Sequence, residues 1–285
     1  MLERESERWN DLSGPAGMSG RRVIDAIYAL SNEQYIDDSV GDRLGFWEIY
    51  NQLCHQGTIY TLTYAAVPHL LPAINGKTLI PPIRALFLLA DINISYNSTA
   101  FAPPEMPEDL KENFVETLQV AKDIVLQYLS QSNLTANEFI ECVMATAGLN
   151  NLSNVQLAID HIFFGQGVYG RCEHCSAEVE ILCNSAPFSV QFMEPHKEFP
   201  KTAMGRPKGP LKYVSPKPFL DSSWNGAIEE DNARNWLSHF ARASKQNEFS
   251  EKLRYVYGEF MCPACSKAQT TWAASLNESR KDESH

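Results

Sequence analysis

The sequence predicts a mainly α protein: an α-solenoid of helical hairpins over residues 21–165, then a small α+β module over residues 166–275 and a disordered tail at 276–285. Three observations predict it. Apolar residues recur with a helical period through the first part, where strand-like alternation is nearly absent. The pattern breaks at Gly165-Gln166-Gly167, and short β-prone pieces follow. Two C-x-x-C pairs then stand in the second part.

Residues 1–20 are polar and contain Gly and Ser, which predicts a loose start. Val23, Ile24, Ile27 and Leu30 mark a first helix. Leu44, Trp47, Tyr50 and Cys54 repeat the period, as do Leu62, Ala65, Ala66 and Leu70. Ile83, Leu86, Phe87 and Ala90 follow. A long helix is read from Leu110, Phe114, Leu118, Ala121, Ile124, Val125 and Tyr128. Phe139, Cys142, Val143 and Ala147 mark another, and Val155, Ala158, Ile159, Ile162 and Phe163 the last. Asn75-Gly76, Pro103-Pro104 and residues 130–133 separate these segments. Asp42 is a candidate helix cap. Thr135, with Glu138 three residues on, forms a candidate capping box. Stacking such helices in hairpins gives the solenoid, although no repeat period is visible in the sequence.

In the second part, Ala177–Leu182 and Phe188–Met193 read as strands. Residues 195–220 hold six prolines and six Lys/Arg against one acid, Glu198, and read as an extended loop. Residues 231–244 read as a helix with Trp236, Leu237 and Phe240 on one face. A final strand pair is expected around Tyr255–Gly258 and Thr270–Ala273.

At 285 residues, 44% hydrophobic and 21% charged, the chain has ample material for a core. The start, MLERESERWND, lacks the apolar stretch of a secretory signal, and no run of about 18 apolar residues appears. The expectation is a cytoplasmic protein without a membrane span. The net charge of −11 lies entirely before residue 166, where 9 Lys+Arg face 20 Asp+Glu; the remainder balances at 15 and 15. An acidic domain repels nucleic-acid backbones and attracts basic partners.

Seven cysteines in a reducing compartment point to metal rather than disulfides. Cys172-Glu173-His174-Cys175 and Cys262-Pro263-Ala264-Cys265 supply four thiolates, the soft ligand set of a tetrahedral structural Zn²⁺. Spacing alone does not separate zinc from iron. Val168-Tyr169-Gly170 leads into the first pair and Val256-Tyr257-Gly258 into the second, which predicts two facing zinc hairpins. The intervening 86 residues far exceed the usual spacing of about 15–20 and require an inserted loop and helix. His174 and Cys183 lie close enough to compete as ligands, but two complete pairs make them unnecessary. Four protein ligands leave no open position, so the site is expected to be structural.

No catalytic constellation is legible, and the chain is expected not to be an enzyme. Cys54-His55 is not a nucleophile–base pair by adjacency, since helical neighbours point about 100° apart. Gly76-Lys77-Thr78 matches the end of a phosphate loop, but Leu71 occupies the position of its first glycine. G-x-G-x-x-G, H-E-x-x-H and G-x-S-x-G are missing from the sequence.

Trp47, Tyr50 and Leu53-Cys54-His55-Gln56-Gly57-Thr58-Ile59-Tyr60, followed by Tyr64-Ala65-Ala66-Val67-Pro68-His69-Leu70, resemble a segment of bacterial HEAT-like helical proteins. In these, a W…L/I-x-H-Q-G-T-x-Y…A-x-P-x-L signature joins two helices of an early hairpin. Arg84-Ala85-Leu86 and Leu88-Leu89 sit where the next repeat helix is expected. The resemblance covers residues 40–95. It implies an immunity protein that occludes a cognate toxin domain, and the acidity before residue 166 suits a basic one. A nuclease suits that charge, because it must bind phosphates. From the residues themselves, Gly57 is read as a tight turn, Thr58 as the cap of a helix over Ile59–Leu71, and Pro68 as a kink in it. His55 and Gln56 are read as hydrogen-bonding supports of that turn. The alternatives are a zinc-dependent nucleic-acid-binding or regulatory protein using Lys197, Lys201, Arg206, Lys208, Lys212 and Lys217, and an enzyme with a dispersed site.

Overall fold

A computed structural model describes residues 1–12, 14–15, 19–32, 45–75, 82–99, 102–131, 133–164, 167–183, 186–194, 206–218 and 224–275. The expected cap at Asp42 and the expected disordered tail lie outside the described residues. The chain divides into two compact units. The first is Met1–Leu129 with Glu141–Leu152; the second is Ser130–Ile140 with Ser153–His285.

The mainly α, HEAT-like α-solenoid expected from the sequence is overturned. Among the described residues, ten α-helices are joined by three antiparallel sheets, one of them four-stranded. In the first unit, α1 (Gly20–Asn32) and α2 (Phe46–Leu53) lead into a miniature hairpin of β1 (Cys54–His55) and β2 (Thr58–Ile59). Next come α3 (Thr61–Ala66), a 3-10 turn at Val67–Leu70, α4 (Leu71–Ile74), α5 (Pro82–Asn97) and α6 (Glu108–Leu129). The physical reason for the correction is visible in α5. Ile83, Ala85, Leu86, Leu88, Leu89, Ala90, Ile92, Asn93 and Ser95 are buried, the remaining stripe of Arg84, Phe87, Asp91 and Ile94 is half-buried, and no residue of the helix before Asn97 is exposed. It packs against α4, α6, β1 and β2. A helix with no face left exposed lies inside a globule, whereas a solenoid helix keeps one face for water.

The hairpin also corrects the reading of its own turn. Gln56 (φ 49°) and Gly57 (φ 75°) both occupy the left-handed region, as a two-residue hairpin turn requires. Cys54 pairs with Ile59 and His55 with Thr58, so backbone pairing holds this turn. Thr58 is therefore a strand residue, and the capping role passes to Thr63. Its hydroxyl accepts from the Tyr60 N–H at 3.0 Å and donates to the Leu53 carbonyl at 2.6 Å. Pro68 behaves as expected: the helix tightens into the 3-10 turn at that point.

Tyr64, Tyr96 and Phe114 pack edge to face, joining α3, α5 and α6. The buried amide of Asn93 donates to the carbonyls of Gly148 and Leu149 and to Asn151 Oδ1. It thereby satisfies main-chain carbonyls at the C-terminal end of α7 (Ala136–Leu149). At the other end of α7, Thr135 and Glu138 form the expected capping box.

The first residues are not loose. Trp9 is fully buried in a 3-10 turn at Glu7–Asn10, which contributes roughly 2–3 kcal/mol. Arg21 donates to the carbonyls of Arg4, Glu5 and Ser6. The buried His69 ring bonds the Leu2 carbonyl through Nε2 at 2.9 Å and the Tyr28 hydroxyl through Nδ1 at 3.0 Å. A carbonyl only accepts, so Nε2 carries the proton and Nδ1 accepts from tyrosine.

In the second unit, α8 (Ser153–Phe163) is followed by β3 (Gly167–Arg171), β4 (Glu178–Leu182), β5 (Ser189–Glu194) and β6 (Arg206–Tyr213), an antiparallel sheet in the order β3-β4-β5-β6. The expected 195–220 loop thus contains a strand. Pro207, Gly209 and Pro210 masked it in the sequence; an edge strand with a bulge at Val190/Phe192 tolerates them. The expected helix around Trp236 is α9 (Ala233–Ala243), with Trp236, Leu237 and Phe240 buried. A further helix, α10 (Asn247–Val256), anchors through Phe249, which stacks on Phe163 at 4.2 Å and meets Phe139 edge-on at 5.0 Å. The last strand pair is β7 (Glu259–Met261) with β8 (Ala268–Thr270). Tyr255 belongs to α10, and residues 271–275 are helical rather than extended. Among the described residues, no helix is long and apolar enough to cross a membrane.

Burial, and less strongly the positive amino terminus, lowers the His69 pKa below its ordinary 6.5. The unfolded chain then binds the proton more readily than the folded one. Stability from this group is present above about pH 6.5 and is lost as pH falls toward the lowered folded value. Lowering the pH from about 7.5 to about 5.5 is expected to lower the thermal midpoint, and His69→Phe to flatten that slope. An unchanged slope in the variant contradicts the assignment.

Candidate metal centre

Each cysteine pair sits on the turn of a β-hairpin, and the two turns are built alike. In the first, the Cys172 N–H donates to the Ala177 carbonyl at 3.0 Å and the Ser176 N–H to the Cys172 carbonyl at 2.9 Å. In the second, Cys262 donates to Lys267 at 2.9 Å and Ser266 to Cys262 at 2.9 Å. Ser176 (φ 58°) and Ser266 (φ 59°) take the same left-handed conformation, which reverses the chain and turns both sulfurs inward. The strands flanking each turn close the ladder, Arg171 opposite Glu178 and Met261 opposite Ala268.

The two tight approaches around these hairpins are made by glycine. A Cβ on Gly170 would lie 2.8 Å from the Ala274 carbonyl oxygen. A Cβ on Gly258 would lie 2.6 Å from the Ser215 carbonyl oxygen and 2.6 Å from Val214 Cγ1. The second contact matters for reaching across the long insertion. Ser215 and Glu259 exchange main-chain hydrogen bonds at 2.8 and 3.0 Å, and the Lys217 ammonium meets the Glu259 carboxylate at 2.7 Å. The chain leaving β6 therefore carries the second hairpin on its backbone. Among the described residues, the stretch between the pairs holds the rest of the four-stranded sheet, α9 and α10.

Cys172, Cys175, Cys262 and Cys265 are brought together, with all four Sγ atoms within 4.8 Å of one another. Cys172 and Cys265 are 3.7 Å apart, and Cys175 and Cys262 3.9 Å. A tetrahedron of sulfurs at a zinc–sulfur distance of about 2.3 Å has edges of about 3.8 Å. The four thiols therefore fit one ion. A multi-iron cluster needs several metal and sulfide atoms between its thiolates, and sulfurs this close leave no space for them. The donor set takes a single soft or borderline cation, which covers Zn²⁺ and mononuclear iron alike.

Main-chain N–H groups surround the sulfurs; that of His174 points at Cys172 Sγ at 3.4 Å. As free thiols Cys262 and Cys265 ionise unequally. The main-chain N–H of Lys267 is the largest influence holding Cys265 down at about 7, while burial pushes Cys262 up to about 12. Metal binding must displace those protons, so affinity falls as pH falls. Cys172 and Cys262 are buried, Cys265 is half-buried and Cys175 is exposed. Beside the outer two lies an open depression of about 480 Å³, lined also by Arg171, Glu178, Phe192 and Met193. Its arginine and glutamate pair with each other at 2.7 Å.

The other candidate residues stand apart from the four. His174 Nε2 meets the Ala268 carbonyl at 3.2 Å, so that nitrogen carries its proton and is not a ligand atom. Cys183 is buried, donates to the Ile181 carbonyl, and is pushed up to about 12 by burial. Cys54 is buried against the Ser95 hydroxyl at 3.4 Å, and burial raises its pKa. It has the environment of a packed thiol, not of an activated nucleophile. The residue that sequence reasoning passed over is Gln269, whose side chain reaches the first knuckle. A lone glutamine in a short strand carries no recognisable signal.

Gly258→Ala is expected to destabilise the second unit by roughly 2–4 kcal/mol and to weaken metal binding, because the methyl meets main chain that cannot rotate away. Denaturant unfolding with and without metal checks this; a variant as stable as wild type contradicts the close approach.

Comparison with protein-family models, with curated proteins and with solved structures gives no match to this chain.

Proposed function

We propose that the chain is a non-enzymatic binding protein whose second unit is held together by one structural Zn²⁺ on Cys172, Cys175, Cys262 and Cys265. The observation that carries this reading is the pair of like-built knuckles whose sulfurs stand at the spacing of a tetrahedral zinc site. Four protein sulfurs complete the coordination shell, so no position remains for a catalytic water. Zinc is taken over iron because paired C-x-x-C knuckles with four thiolates are the donor set of structural zinc sites.

Purified wild type is expected to carry one zinc per chain. Cys172→Ser or Cys262→Ser is expected to abolish it and to unfold the second unit while the helices of the first persist. Elemental analysis with far-UV circular dichroism reads both outcomes. Wild type without stoichiometric zinc sinks the proposal.

For the partner, we propose a basic protein, namely a bacterial toxin domain that this chain neutralises by stoichiometric occlusion. Two features support it: the resemblance across residues 40–95, and the −11 charge concentrated before residue 166. The α-solenoid is not part of this reading. A second reading follows from β6, an exposed edge strand carrying Lys208, Lys212 and Tyr213, which suits a phosphate backbone. Co-expression with the product of the adjacent gene is expected to relieve toxicity and yield a complex that weakens as salt rises. No complex and no relief refute the immunity reading. Nucleic-acid retention at about 50 mM salt, lost in a Lys208→Ala/Lys212→Ala variant, favours the second.

A further inference from the structure

The two knuckles are not equivalent in how they are held. Gln269 lies four residues beyond Cys265 in β8 and is 4% exposed. The corresponding residue of the first hairpin, four beyond Cys175, is Val179, fully buried in β4. The position is thus a core position, and an apolar residue suits it. Gln269 instead brings a polar amide whose Nε2 is buried with no hydrogen-bond partner among the described residues. Such a group costs stability unless the rest of the side chain offsets it.

Its Oε1 does so across the site. The Glu173 N–H, in the spacer of the first knuckle, donates to Gln269 Oε1 at 3.0 Å over a separation of 96 residues. The donor is a backbone N–H, so the facing atom must be the amide oxygen. The neighbouring His174 ring donates to the carbonyl of Ala268, the residue before Gln269. Both spacer residues of the first knuckle are therefore tied to consecutive residues of β8, without any metal atom in the path.

The reciprocal pair explains why only one side carries this tie. The residue of the second knuckle that corresponds to Glu173 is Pro263. Proline has no N–H to offer. The residue corresponding to Gln269 is Val179, which has no side-chain acceptor. Donor and acceptor occur together on one side and are both missing on the other.

From this we infer that Gln269 is a positioning residue for the metal centre, its amide oxygen fixing the first knuckle against β8 so that Cys172 and Cys175 stand ready for the ion. The inference rests on the zinc reading above and assigns a role outside the four ligands. Partners of this kind orient a metal's ligands, and their loss typically costs 10- to 100-fold in affinity.

The test is a double-mutant cycle on the full chain, read by Zn²⁺ competition against a chromophoric chelator and by the d–d absorption of the Co²⁺-loaded protein. Gln269→Met keeps the length and removes the acceptor. Glu173→Pro removes the donor with the residue that the second knuckle already uses at that place. Each single change is expected to weaken Zn²⁺ binding about 10- to 100-fold and to alter the Co²⁺ bands, and the double variant to be no weaker than either. Zn²⁺ affinity of Gln269→Met within about twofold of wild type, or penalties that multiply in the double variant, overturn the inference. Failure of the zinc reading looks different: wild type itself then binds no stoichiometric Zn²⁺.

Discussion

Four sulfurs within 4.8 Å of one another set the terms for the second unit. As thiolates they repel: two unit charges about 4 Å apart cost roughly 4 kcal/mol at an effective dielectric of 20. A divalent cation at their centre reverses the sign of that energy, and metal affinity becomes folding energy. Everything around the sulfurs serves to bring two distant hairpins to that spacing. The sheet carries the chain away from the first knuckle, the Ser215–Glu259 pairing returns it to the second, and Gly170 and Gly258 permit the closest backbone approaches. The aromatic contacts of Phe249 then fix α10, which feeds directly into β7.

How much of this was legible follows from which constraints are local. Metal chemistry demands cysteine, at a fixed spacing, on a tight turn, and so Cys172, Cys175, Cys262 and Cys265 announce themselves. Helices announce themselves by period, and the spacing predicts α6 and α9 nearly residue by residue. The period says that a helix has an apolar face; it does not say what lies against it. In α5 no residue before Asn97 is exposed, yet Arg84 and Asp91 share one half-buried stripe, so the sequence shows a polar face where the structure leaves none open to water. β6 was hidden because its prolines and lysines are the devices by which an edge strand avoids further pairing. Gln269 was hidden for a different reason: its partner is a backbone N–H 96 residues away, and backbone amides leave no trace in residue type.

The first unit shows the same separation between local and long-range control. Gly57 was read as a turn from its residue type, and it takes a positive φ. The cap went to Thr63 rather than Thr58 because the turn closes a hairpin, and that adds two residues before the helix can start. The N-terminal residues look loose by composition, yet Trp9, Arg21 and His69 tie them down through main-chain carbonyls. Composition counts polar side chains and does not see which carbonyls they will satisfy.

The asymmetry between the knuckles bears on how the centre assembles. Two hairpins that met only at the metal would have to be gathered by the ion itself, and the entropy of closing so long a connection would be drawn from metal affinity. Glu173 and His174, tied to β8, remove part of that cost before the ion arrives. The second knuckle needs no equivalent, because Ser215 and Lys217 already hold its leading strand to the sheet. The first knuckle is thus tied to a strand of the second hairpin, and the second hairpin to the chain leaving the sheet. A centre anchored in this way suits a structural ion: its ligands are fixed in advance, and the metal locks the arrangement without being asked to move.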